Sequence, residues 1–509
     1  MLATLAVGAV GALALVTTSN AGAAHRPDPA SVSPGPIAVT ASGSNSDALS
    51  PPDLHAAYAL PKTGPKGQTI AIVTAYDDPT AASDLAKFSS QFGIAACTTS
   101  NGCFRKVNQR GATTPLPGPD PTGGNWITEA ALSTQVARGI CQNCSILLVE
   151  ADTASKPDLS AGVNLAANMG AQVVVTSFSP PEAAGDTFSF GADYGHRGTV
   201  VVAATGDAGY TGSGINFPAE LPNVVAVGGT QLTLNAAGKY VSETAWSQSG
   251  SGCSLFAPAP AWQAALRPAT GCGFMRSIAD ISAVASPGAL VYVTGIDGLS
   301  GGAWYEVAGT SFSAPIIGGA FALAGGGSDS AAQRLYQRAR SDPGALRDIT
   351  TGTNNAFCAD QPYCAARRGY DGPTGLGTPY GLAAFLPSGG VLDPHRPLIT
   401  VSAAKGRLTV NRRWTTQVKV ANSNPFSLGG SVTLRRRLRI GNRLQLITFA
   451  TTKVTVGPLA SAPELLTIAK RDRALVRDLR SVMVFAQLRV HGPAGRAVTL
   501  TKTLRLTAP

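Results

Sequence analysis

At 509 residues, with 44% hydrophobic and 14% charged side chains, the chain is built for two or more packed domains, which excludes a predominantly disordered protein. The net charge of +11 conceals an asymmetry: from residue 396 onward there are 21 Lys/Arg against 3 Asp/Glu, giving +18, and before it 19 against 26, giving −7. Two different surfaces are therefore expected, and beyond the N-terminal stretch no apolar run reaches the length of a membrane span.

Residues 2–16 form the one long uncharged apolar run, and the A-x-A-like Ala21-Gly22-Ala23 follows, so residues 1–23 read as a secretory signal and the protein as secreted. Residues 24–50, rich in Pro, Ser, Ala and Gly without a period, read as a flexible linker. From Pro51 the pattern becomes regular. A short capped helix is expected over 53–60, a buried strand over 68–75 and a helix over 80–92. Strand-like runs follow at 146–150, 172–176, 199–204 and 224–227, with a helical segment at 159–169 between them. This alternation predicts, over 51–388, an α/β domain with a mostly parallel sheet and helices on both faces.

After Gly389 the pattern changes to short alternating runs at 398–401, 407–410, 416–420, 430–434, 444–449, 453–456, 482–488 and 497–506. Residues 396–509 are thus expected to form an all-β, Ig-like sandwich. Its arginines, including Arg435, Arg436, Arg437 and Arg439, are expected mostly on the outward face, where attachment to anionic cell-envelope polymers is one use for them. Aromatics are not interleaved with these charges, so the pattern does not read as a single-stranded nucleic-acid platform. Eight cysteines fall into four close pairs, 97/103, 141/144, 253/272 and 358/364, as expected of disulfides in an exported protein. For Cys141-x-x-Cys144 the alternative is zinc or redox chemistry, but the other pairs lack metal-ligand spacing and nearby histidines.

Gly309-Thr310-Ser311-Phe312-Ser313-Ala314-Pro315 places a serine among small residues where an apolar helix begins. First-turn N–H groups there are open to an anion. A nucleophilic serine needs a proton acceptor, usually histidine. Of the five histidines, His25 lies in the linker and His395 and His491 beyond the α/β body, while His55 and His196 lack the small-residue setting of a catalytic histidine. Residues 298–302 match the Gly-x-Ser-x-Gly elbow, yet the Ala303–Val307 run that follows does not read as a helix. Carboxylates remain. Residues 126–135 have helical spacing, which sets Glu129 and Ser133 on one face, and Gly206-Asp207-Ala208-Gly209 ends a predicted strand.

These motifs together, with Phe217-Pro218-Ala219 leading to Val227-Gly228-Gly229-Thr230, resemble the sedolisins, serine-carboxyl peptidases with a subtilisin-like fold; the resemblance covers residues 51–386. It implies an endopeptidase acting on polypeptides, with Ser311 as nucleophile, Glu129 as general base and Asp207 as oxyanion donor, working best at acidic pH. Where the family pattern expects a helix aspartate, this chain has Ser133. A hydroxyl can orient Glu129 but cannot share a proton with it as a carboxylate would, so a catalytically impaired, peptide- or envelope-binding homologue is the alternative. The resemblance also implies a structural calcium ion, with carboxylates from Asp348 and Asp371 and carbonyls from Ile349, Arg367 and Gly369.

Overall fold

The computed structural model describes residues 38–41, 47–264, 266–296, 301–327, 330–386, 399–422, 428–441, 443–457, 461–491 and 497–509. The expected signal segment, the segment joining the two expected domains, and most of the Gly-x-Ser-x-Gly match lie outside them. Part of the expected linker is structured: Ala38–Ala41 pairs antiparallel with Gly302–Ala308.

The α/β body is organised on an eight-stranded sheet. Its strands are β1 (Thr69–Ala75), β2 (Phe104–Asn108), β3 (Ser145–Ala151), β4 (Val173–Thr176), β5 (Val200–Ala204), β6 (Val224–Leu234), β7 (Tyr240–Ala245) and β8 (Ile281–Ser286), in the order β8-β6-β5-β4-β1-β3-β2. All neighbours in that order run parallel, while β7 pairs antiparallel with the far half of β6. The central strands are apolar on both faces because both faces are covered. Ile70 and Ile72 of β1 belong to one core, with helices α1 (Pro51–Tyr58), α2 (Ala81–Gln91), α3 (Asn125–Ile140) and α5 (Thr310–Leu323). Ala71 and Val73 belong to the other, with α4 (Lys156–Asn168). This is the period-two division of a doubly covered strand.

Helix α5 is buried along its entire length and apolar on all sides, so it carries no amphipathic signature. It packs between the sheet and α3 at two glycines. A Cβ on Gly318 would lie 2.6 Å from Val175 Cγ2, and one on Gly319 2.5 Å from Ile140 Cγ2. Any larger residue at either position would push the helix off its neighbours.

The C-terminal region has a separate core. Strands β9 (Ile399–Ser402), β11 (Thr415–Asn422) and β14 (Ser461–Thr467) form a three-stranded sheet. Strands β10 (Arg407–Thr409), β16 (Ala497–Thr507), β15 (Ser481–His491), β12 (Leu428–Ile440) and β13 (Arg443–Val456) form a five-stranded one, in that order. Both sheets contribute to the common core, through residues such as Val418, Leu466, Leu488 and Leu504. Three details differ from the sequence expectation. The runs at 444–449 and 453–456 are one strand, β13, continuous through an irregularity opposite Leu434/Arg435. A helix, α6 (Arg473–Leu479), interrupts the β pattern, and β10 pairs parallel with β16.

All four expected cysteine pairs are disulfides, so Cys141 and Cys144 are bonded to each other and not to a zinc ion. Among the described residues no helix is long and apolar enough to cross a membrane.

Candidate active site

The sequence-predicted residues meet at the carboxyl edge of the sheet. Ser177 directly follows β4 and Asp207 follows β5, where chain ends of an open parallel sheet converge. Helix α5 begins over this edge with Gly309 as its N-cap, so Ser311 occupies the first turn. Helix α3 brings Glu129 and Ser133 to the same place, one turn apart and both buried.

Ser133 Oγ donates to Glu129 Oε1 at 2.8 Å and lies 2.9 Å from Ser177 Oγ. Ser311 Oγ donates to the carbonyl oxygen of Ser177 at 2.9 Å. The helix supplies the remaining contact of this set. Pro315 has no N–H, so the carbonyl of Ser311 loses its normal intrahelical donor, and Ser177 Oγ lies 3.4 Å from it. The Ser133 and Ser177 hydroxyls and the Glu129 carboxyl are thus linked, Ser311 joins them through the backbone of Ser177, and all four residues are buried.

Burial raises the pKa of Glu129 to about 7; the Ser133, Ser311 and Ser177 hydroxyls partly offset the shift, and the charge of Asp207 adds to it. Glu129 Oε2 is buried and, among the described residues, accepts no hydrogen bond. The Ser311 hydroxyl is close enough to favour the Glu129 carboxylate, although its hydrogen bond is to Ser177.

Asp207 is fixed to the start of the same helix. Its Oδ1 accepts from Thr310 N–H at 2.8 Å and from Thr310 Oγ1 at 2.7 Å, while Thr310 Oγ1 accepts from Gly206 N–H at 3.1 Å. Burial raises its pKa to about 6, with the Thr310 bonds opposing the rise. Asp207 Oδ2 is buried with no hydrogen-bond partner among the described residues. A neutral carboxyl in this setting is a hydrogen-bond donor aimed at whatever enters the site.

Ser177 and Thr310 carry much of this geometry, and sequence reasoning did not single out Ser177. Its position just past a buried strand was the one available signal. The two histidines described in the α/β body are elsewhere. His55 is buried between the carbonyls of Leu60 and Gly139, and His196 lines a cavity of about 240 Å³ with Tyr194 and Asn223.

Four of the five residues expected to hold a metal are linked by hydrogen bonds. Gly369 N–H crosses between the two loops to Asp348 Oδ2 at 2.9 Å, and Arg367 N–H closes its own loop on Asp371 Oδ2 at 3.0 Å; Ile349 follows Asp348 in the chain. Thr374 donates to Asp371 Oδ1 from both its N–H and its hydroxyl. Burial raises the pKa of Asp371 to about 7, and the neighbouring charge of Asp348 contributes. A buried carboxylate facing a second one fits a hard cation with oxygen ligands. Among the described residues no group of three or more His, Cys, Asp or Glu side chains could hold a metal, so the rest of such a ligand set would come from backbone carbonyls.

Comparison with known proteins bears on the family and the fold. The model of the Subtilase family matches residues 117–347. Kumamolisin of Bacillus sp. (strain MN-32) is 30% identical over 387 residues, covering 68% of this chain and 65% of that protein. Sedolisin of Pseudomonas sp. (strain 101) is 31% identical over 276 residues, covering 50% of this chain and 42% of that protein. The chain thus spans less than two thirds of the length of these relatives. The structure of Pseudomonas sedolisin, a serine-carboxyl proteinase complexed with two molecules of pseudo-iodotyrostatin, superposes with a TM-score of 0.54 at 25% identity, covering 66% of this chain and 96% of that one. The serine at the head of a buried helix, the paired helix site on α3 and these matches lead to one assignment: the chain belongs to the sedolisin family of subtilisin-like peptidases.

Proposed function

We propose that the protein is a secreted serine-carboxyl endopeptidase that hydrolyses polypeptides through an acyl-enzyme on Ser311. The observation that carries this reading is the contact set Ser311–Ser177–Ser133–Glu129, buried at the start of α5 with Asp207 held to Thr310 beside it. Glu129 takes the Ser311 proton as the oxygen attacks the peptide carbonyl, and returns it to the leaving amine. Asp207, protonated, donates from Oδ2 to the oxyanion that develops. Ser133 keeps Glu129 oriented by its hydrogen bond. Water then repeats the sequence on the ester and frees Ser311.

The two carboxyls set the pH dependence. Glu129 must be ionised, so activity rises as pH approaches about 7. Asp207 must be protonated, so activity falls as pH passes about 6. The expected kcat/KM profile is a narrow bell on the mildly acidic side of neutrality, with a minority of molecules in the productive state at the optimum. Cleavage of a denatured protein from pH 4 to 9 by wild type and Ser311→Ala tests the proposal; equal rates for the two proteins would refute it.

Ser133 favours a second reading, a catalytically impaired homologue that binds peptides without turning them over. Secretion is supported by the four disulfides and the apolar run at residues 2–16. Calcium would be held by Asp348 and Asp371 with the carbonyls of Ile349, Arg367 and Gly369, and would neutralise the two facing carboxylates. The +18 balance beyond residue 396 supports attachment of the C-terminal region to anionic material of the cell envelope.

A further inference from the structure

The outward face of the five-stranded sheet carries cations and apolar groups and no carboxylate. Arg435, Arg437 and Arg439 alternate along β12, so all three project from one face, with a repeat of roughly 6.5–7 Å. Cross-strand register adds to the same face. Arg437 is opposite Leu446 and Arg439 opposite Leu444 on β13, while Arg435 is opposite Phe485 on β15. These apolar side chains are open to solvent: Leu444 is 65%, Leu446 55% and Phe485 45% exposed. Arg489 and Arg505, both exposed, extend the cationic surface along β15 and β16. The three carboxylates of this region, Glu464, Asp472 and Asp478, lie on β14 and around α6, outside the five-stranded sheet. The opposite face of β12, β15 and β16 supplies the core residues Val432, Leu434, Leu488 and Leu504, and β13 gives the core Phe449, Ala450, Val454 and Val456, at or beyond the irregularity that separates them from Leu444 and Leu446.

We propose that this face docks on the surface of an anionic lipid bilayer, with Leu444, Leu446 and Phe485 entering the headgroup boundary and Arg435, Arg437 and Arg439 on lipid phosphates. The proposal rests on the reading that the basic region meets an anionic surface, and the exposed leucines are what narrow that surface to lipid. A soluble polyanion pairs with arginines but gains nothing from two leucines held out in water, whereas interfacial binding scales with buried apolar area plus attraction to anionic headgroups. A single-stranded nucleic acid would need a row of stacking aromatics, and this face presents Phe485 alone.

Co-sedimentation of the full chain with phosphatidylcholine vesicles, with and without phosphatidylglycerol, tests it against a soluble comparator, dextran sulfate. Wild type is expected to bind the phosphatidylglycerol vesicles alone, less so at high salt. Arg437→Glu/Arg439→Glu and Leu444→Ser/Leu446→Ser are each expected to lower vesicle partitioning on the order of 10-fold or more. The leucine variant should still bind dextran sulfate. If it also binds vesicles like wild type, the lipid proposal fails while the anionic-surface reading stands. Wild type binding neither vesicles nor dextran sulfate defeats both. The substituted positions are exposed, and the melting transition of each variant reports whether it has folded.

Discussion

Ser133 stands one helical turn beyond Glu129, and its hydroxyl donates to the carboxyl of the proposed base. A donor of this kind stabilises the carboxylate but cannot take up and return a proton, so Glu129 has no second carboxyl on α3 with which to share one. Ser133→Asp is therefore expected to do two things. A second carboxylate 2.9 Å or so from Ser177 Oγ shares one proton with Glu129, which moves the rising limb of the pH profile to lower pH. The rate at the acidic optimum should rise by about 10²-fold, within the range attributed to general acid–base assistance. A gain of that size from a near-zero baseline identifies the natural protein as impaired; substantial wild-type turnover with little gain identifies Ser133 as a working orienter. An unchanged pH profile at unchanged rate would remove Ser133 from the site's chemistry altogether.

Helix α5 depends on the residue before it as much as on its own apolar run. Gly309 has φ +139°, and a Cβ there would lie 2.6 Å from Asp207 Oδ2. Gly309→Ala therefore combines a strained backbone with a displaced carboxyl. The expected cost is about 1–3 kcal/mol of stability from the backbone alone, together with a loss of kcat larger than any change in KM if Asp207 has the oxyanion role proposed for it. Denaturant unfolding and steady-state kinetics check the two parts, and wild-type values for both would show that the close approach is not needed. The same element explains what the sequence disclosed and what it withheld. Ser311, Glu129 and Asp207 sit in local motifs whose neighbours are as characteristic as the residues themselves. Ser177 does not: it ends a plain Val-Val-Val-Thr strand, and it acts partly through its backbone carbonyl, which has no sequence signature. The Asp207–Thr310 bond joins residues 103 positions apart and depends on the parallel order of the sheet. In the C-terminal region, alternation located the strands well, but a bulge-like irregularity at Leu434/Arg435 hid the continuity of β13, and α6 was too short to establish a period of its own.

At the scale of the whole molecule, the chain joins an acidic α/β body to a basic β region, and the two have separate cores. A cation bound to the body should therefore affect one part of the protein and not the other. The loop carrying Asp371 is tied to the segment leading into β8 by Leu376 N–H donating to the Asp280 carbonyl and Ala279 N–H donating to that of Gly372. Asp280 is in turn held by the buried Arg276 and by Tyr336. Without a cation, Asp371 must be protonated or face Asp348 as a buried like charge; either weakens the loops that close onto this cluster. Calorimetry with calcium and then with excess chelator is expected to show a lower transition temperature for the α/β body. Free calcium at 100 times its dissociation constant contributes roughly 2.7 kcal/mol, all of which chelation removes. The transition of the C-terminal core should stay where it was. Asp371→Asn should abolish the calcium response while leaving that second transition unchanged. Superimposable scans with and without chelator would mean that these aspartates hold no calcium; a shift of both transitions together would mean that the two cores unfold as one.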